Sequence, residues 1–168
     1  NILTYHMASN VTFNNNTQWI RGIFLSNSAL NKVEMNRIQW STYPAGFNTT
    51  YPDKLQGISM ENVTNSNIIC NKMDGMGAGV YIQNNNIGTS YITNITKNCY
   101  NGYKLNNASI DPVGDPSTLT SYNNPFSNIT SFRVAGSIST LAKDWYYIGS
   151  NDMPTPVQGG IVSPQVAT

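Results

Sequence analysis

Apolar and polar residues alternate along the first thirteen positions, NILTYHMASNVTF. Leu3, Tyr5, Met7, Val11 and Phe13 fall on one face of an extended strand, with Ser9 as the one break in the row. Thr4, His6, Ala8, Asn10 and Thr12 fall on the other. This period of two predicts a half-buried β-strand spanning roughly 35 Å. No turn signal follows at hairpin distance, only the polar stretch Asn14-Asn15-Asn16-Thr17-Gln18. Two receivers for this apolar comb are open: the chain's own sheet, or the sheet of another copy through strand addition.

The rest of the chain reads as short strands separated by turn residues. Trp19 to Leu25 is an apolar run, and Ser26-Asn27-Ser28 a turn. Val33 and Met35 alternate in one phase and Ile38 and Trp40 in the other, a slip of the kind a β-bulge produces. Further strands are expected at 55–60, 67–73, 80–82, 90–96, 100–105, 118–122, 129–138 and 145–148. The tail from Met153 is rich in Pro and Gly and suits an edge strand or clasp. Short strands, turn signals every 8–12 residues and no visible repeat period predict an all-β fold. An immunoglobulin-like β-sandwich is the expected architecture. The expected division is an N-terminal strand and linker at 1–17 and a single sandwich domain at 18–168.

Composition narrows the partners. Of 168 residues only 10% are charged and the net charge is +1, so no basic surface for nucleic acid is expected. Polarity comes instead from 25 Asn and 32 Ser plus Thr. No apolar run is long enough to span a bilayer as a helix. With Asn at position 1, the chain reads as an extracellular product from which a secretory signal has been removed. In that setting Cys70 and Cys99 are expected to form a disulfide. Asn-x-Ser/Thr acceptors stand at Asn10, Asn15, Asn48, Asn62, Asn94, Asn107 and Asn128. Covalent N-linked glycans are therefore expected, and no cofactor.

Chemistry is sparse. His6 is the one histidine, and it lies on the polar face of the first strand, a poor start for a catalytic triad. Asp111 and Asp115 flank a Pro-Gly turn, where turn geometry competes with calcium binding as the explanation. The Gly75–Gly79 run lacks the Lys-Ser/Thr of a phosphate loop. Ten Tyr and three Trp suit core pairs more readily than a sugar-binding platform. No enzyme is expected.

The N-terminal comb Leu3, Tyr5, Met7, Val11, Phe13, the Cys70/Cys99 pair and the repeated acceptor motifs together resemble the archaeal thread filament subunits. Those are similar in architecture to bacterial type I pilins. The resemblance implies an incomplete sandwich whose groove receives a neighbour's N-terminal strand. It makes the chain a subunit of a glycosylated extracellular filament, built head to tail from copies of itself and serving contact with surfaces or other cells. A surface-layer or viral coat component and a secreted carbohydrate-binding module are the alternatives.

Overall fold

The computed structural model describes residues 2–6, 19–42, 49, 52–139 and 142–167. Fifteen strands follow one another: β1 (Ile2–His6), β2 (Ile20–Ala29), β3 (Lys32–Glu34), β4 (Arg37–Thr42), β5 (Leu55–Thr64), β6 (Asn67–Ile69), β7 (Lys72–Asp74), β8 (Ala78–Asn85), β9 (Ser90–Ile92), β10 (Ile95–Lys97), β11 (Asn101–Ser109), β12 (Phe126–Ser127), β13 (Val134–Ile138), β14 (Lys143–Tyr147) and β15 (Val162–Val166). The fold is all-β, as the alternation and turn residues predict.

The pairing is not that of a sandwich. Every pairing between these strands is parallel. Long strands stack as β13-β11-β8-β5-β2, short ones as β3-β6-β9, and a third sheet as β1-β4-β7-β10-β12. Successive strands visit the long sheet, the short sheet and the third sheet in turn, then return one level along the axis. This is a parallel β-helix, in which each coil is a layer and neighbouring coils bury a common core. An immunoglobulin-like sandwich pairs antiparallel neighbours through hairpins. Here the turn residues that suggested hairpins are corners that pass the chain to the next sheet.

Residues with positive φ mark those corners. Leu30, Asn65 and Gly88 precede the short sheet; Met35, Cys70, Thr93 and Asn123 follow it or the segment that replaces it; Gly75, Asn98 and Asn128 follow the third sheet. Left-handed backbone favours Asn and Gly over other residues, so the asparagine-rich composition has a conformational cause in addition to surface polarity. The phase slip between Met35 and Ile38 is accordingly a corner, not a bulge.

The residue after each second corner faces inward and forms a ladder along the axis. Asn71 Oδ1 accepts from Asn36 N and Nδ2 at 3.1 and 3.0 Å. Asn94 Oδ1 accepts in the same way from Asn71 at 3.2 and 3.0 Å. Asn124 Oδ1 accepts from Asn94 N at 2.9 Å. The amide groups also donate to the backbone: Asn71 to Val33 O, Asn94 to Ile68 O and Asn124 to Tyr91 O at 2.9, 2.6 and 2.7 Å. Ladder members stand 35, 23 and 30 residues apart. The unequal spacing, set by insertions of different length between coils, is why no repeat period is visible in the sequence.

Apolar side chains fill the interior in rows at matching register. Ile38, Met73, Thr96 and Phe126 line the third sheet. Ile58, Val80, Tyr103 and Val134 line the long sheet. Glycines stand where these two sheets converge. A Cβ on Gly22, Gly57, Gly79 or Gly102 would sit 2.5, 2.5, 2.5 or 2.6 Å from a side-chain atom of Ile38, Met73, Thr96 or Phe126 respectively. Toward the C-terminal coils an aromatic cluster closes the core. Tyr103 packs edge-on against Tyr91, Phe126 and Trp145 at centroid distances of 6.1, 6.0 and 5.0 Å. Among the described residues the Pro-containing β15 pairs only with β14, matching the expected edge position of the tail.

Several expectations are corrected by this arrangement. β1 pairs in parallel with β4 of the same chain, Leu3 opposite Ile38 and Tyr5 opposite Trp40. The first strand thus extends the chain's own third sheet and is not donated in this arrangement. Met7, Val11 and Phe13 lie outside the described residues. Cys70 and Cys99 are free thiols, Cys70 exposed and Cys99 buried. Cys70 occupies an outward left-handed corner, whereas Cys99 turns inward with its Sγ 3.2 Å from Lys97 O. Their separation does not match the 23-residue coil between Asn71 and Asn94, so register does not stack them as it stacks the asparagines. No described helix is long and apolar enough to cross a membrane.

Candidate functional site

The acceptor asparagines fall into distinct environments. Asn94, fully buried in the ladder, offers no face to a glycan, which corrects its assignment as a glycosylation site. Asn62 is half-buried, its Nδ2 donating to Asn27 Oδ1 at 3.1 Å and its Oδ1 accepting from Asn85 N at 3.3 Å. Asn107 and Asn128 are exposed. Asn10, Asn15 and Asn48 lie outside the described residues. Asp111 and Asp115 serve the backbone: Asp111 accepts from Gly88 N at 2.7 Å, and Asp115 from Ser117 N and Oγ at 2.9 and 2.6 Å. The Ser117 hydroxyl and neighbouring amides hold the Asp115 carboxyl below its usual range. No group of three or more His, Cys, Asp or Glu suited to a metal ion occurs among the described residues.

The exposed rings of Trp19 and Phe24 and a polar cavity share the outer face of the long sheet. Parallel register places Arg21, Gln56, Ala78 and Asn101 in one transverse row. Phe24, Ser59, Tyr81, Lys104 and Ala135 make the next. Five strands at about 4.8 Å spacing give this face a breadth of about 19 Å along the coil axis.

At its β2 end the face is aromatic and cationic. Trp19 is 40% exposed and Phe24 45%. The Arg21 guanidinium lies 4.7 Å from the Trp19 ring centre and 4.1 Å from that of Phe24, and Lys54 Nζ lies 3.9 Å from Trp19. These contacts hold the indole in place while leaving part of it open. Tyr81 meets Trp19 edge-on at 6.2 Å. Its hydroxyl accepts from Asn106 Nδ2 at 3.0 Å, and burial pushes its pKa up.

At β11 the face deepens into a cavity of about 170 Å³. Pro52 and Asp53, from the segment before β5, form one wall. Ser131, Phe132 and Gln158 form the opposite wall, and Tyr100, Asn101, Lys104 and Ala135 the rest of the lining. Lys104 Nζ stands 3.8 Å from Asp53 Oδ1, close enough to pair electrostatically and too far for a hydrogen bond. Asn101 is 3% exposed, and its side-chain oxygen is buried without a hydrogen-bond partner; Asp53 Oδ1 is in the same condition. Buried oxygens without partners are uncommon in folded proteins and call for an explanation. The cavity therefore offers two oxygen acceptors, one ammonium donor and two aromatic rings, with charges that cancel.

None of these cavity residues stands out in the sequence as a site. Asp53 reads there as a turn residue, and Asn101 as one Asn among many. What brings Asp53, Asn101, Phe132 and Gln158 together is coil register, and unequal insertions hide that register. No protein-family model matches the chain, and neither a curated protein nor a solved structure matches it.

Proposed function

We propose that this chain binds carbohydrate, with a glycan lying across the outer face of the long-strand sheet. The observation that carries the reading is the pair of half-open aromatic rings, Trp19 and Phe24, with the buried Tyr81 edge-on against Trp19, on the same sheet face as a polar cavity. Sugar rings present an apolar face and a rim of hydroxyls. A held indole or phenol ring receives the first, and amide, carboxylate and ammonium groups receive the second. A rigid sheet fixes the spacing of these groups before binding, so little ordering cost falls on association. The low charge of the chain suits a neutral polymer better than nucleic acid.

The role is one of binding, not of cleavage. Glycoside hydrolysis uses two carboxyl groups flanking one bond, and Asp53 is the single carboxylate among the described residues lining the cavity. A glycan-binding role suits an extracellular chain, with Asn107 and Asn128 the exposed acceptor positions among the described residues. The head-to-tail filament draws no support from β1, which pairs within its own chain.

Affinity electrophoresis through gels containing mannan, xyloglucan or dextran tests the reading. Retardation by at least one of these polymers is expected, weakened about tenfold by Trp19→Ala through loss of the stacking surface. Free migration in all three gels, or retardation unchanged by both Trp19→Ala and Phe24→Ala, would overturn it.

A further inference from the structure

We infer that the cavity over β11 is a subsite for one neutral sugar unit, gripped through two adjacent hydroxyl groups. The inference rests on the carbohydrate-binding reading and adds to it where the sugar sits and which charge class is admitted.

The cavity's size points to a small occupant. About 170 Å³ is below the roughly 300–1,000 Å³ of drug-sized ligand sites, so one ring of a polymer fits and a longer stretch does not. Its polar groups define the chemistry. Asp53 Oδ1 and Asn101 Oδ1 both accept and neither has a hydrogen-bond partner. Lys104 donates but accepts nothing, and its side chain is only 23% exposed. A hydroxyl can donate and accept at once. Two neighbouring hydroxyls can therefore donate to Asp53 and Asn101 while one of them accepts from Lys104. The charge-assisted bonds to Asp53 and Lys104 are the stronger members of such a set. Tyr100 and Phe132 supply ring surface against the sugar's C–H faces.

Other occupants fit less well. A metal cation would meet the Lys104 ammonium beside the same Asp53 oxygen it needs. A carboxylate or sulfate would meet the Asp53 carboxylate. The opposed charges of Asp53 and Lys104 make the cavity neutral, so a neutral ring pays no net charge penalty that an anionic or cationic one would.

Titration calorimetry of the whole chain tests this with two probes, mannotetraose as the neutral sugar and tetragalacturonate as the anionic one. The variants are Asp53→Asn, which keeps the shape and removes the charge, and Lys104→Met. Circular dichroism confirms that each variant keeps the wild-type spectrum. For wild type, mannotetraose binds more tightly than tetragalacturonate. Asp53→Asn weakens mannotetraose about tenfold, as loss of a charge-assisted hydrogen bond requires. It also strengthens tetragalacturonate, because Lys104 is left unopposed. Lys104→Met weakens both probes. The gain for the anionic probe cannot come from general damage to the fold. If wild type binds mannotetraose and neither variant changes either affinity, the subsite is wrong and the broader carbohydrate face stands. If wild type binds neither mannotetraose nor any of the three neutral polymers above, both fall together.

Discussion

Two sets of asparagine side chains, one inside the coil and one at its outer face, differ in a single respect that decides their roles. Three ladder oxygens are occupied: Asn71 Oδ1 takes two donors from Asn36, Asn94 Oδ1 two from Asn71, and Asn124 Oδ1 takes Asn94 N and the Tyr103 hydroxyl. Asn101, buried to a similar degree, has an oxygen with no partner. Burying a polar group without compensation costs free energy, and the ladder shows how this fold meets the cost for the amides that hold its coils. The cavity is a place where it does not. Satisfied amides hold coils in register, and unsatisfied acceptors next to an open cavity are the groups that the proposed ligand would meet.

Substitution separates the two sets most sharply at Asn94. Asn94→Ala removes a donor to Ile68 O and the acceptor that both Asn71 donors share. With several buried partners lost, the expected cost is roughly 3–5 kcal/mol. Thermal unfolding should show a midpoint lowered by about 10 °C or more. Asn101→Ala removes an oxygen that has no partner, so its stability should stay within about 1 kcal/mol of wild type. Its mannotetraose affinity should nevertheless fall. Equal losses of stability from the two substitutions would erase the distinction.

The cysteines give a smaller contrast of the same inside-against-outside kind. Burial pushes the Cys99 thiol up to about 12, while Cys70 is exposed at its corner. Titration of the native protein with a thiol reagent near neutral pH should modify one cysteine, and of the unfolded protein both. Two unreactive cysteines that become reactive only after reduction would restore the disulfide. The pH effect has a definite sign. A thiol whose pKa is raised on folding contributes stability that is intact below its unfolded value of about 8.5. That stability is lost as pH climbs from there toward 12. Cys99→Ser should flatten the alkaline decline in unfolding free energy.

The sequence made the strand content legible, because alternation and turn residues are local. It made the pairing illegible, because a corner and a hairpin use the same residues. Asn65-Ser66 turns the chain from β5 to β6 in a different sheet, yet nothing in those two residues says that β6 will not fold back on β5. The acceptor motif at Asn94 is indistinguishable in sequence from that at Asn128, although one is buried in the ladder and the other exposed. Tyr81 and Lys104 lie side by side because 23 residues make one coil there. The coil between Asn36 and Asn71 takes 35, and that inequality conceals the period. Ile2–His6, the described part of the N-terminal apolar comb, is a strand as its alternation predicts, but alternation carries no information about which chain's sheet receives it.

The central claim is that the cavity amide, unlike the ladder amides, is left free for a sugar. Side-chain amide signals of a ¹⁵N-labelled sample, followed as mannotetraose is added, test it most directly. The account predicts that the Asn101 NH₂ pair shifts progressively and saturates with the calorimetric affinity, while the NH₂ pairs of Asn71, Asn94 and Asn124 stay in place. A stationary Asn101 signal at saturating mannotetraose, or ladder signals that move as far as it does, would contradict the claim.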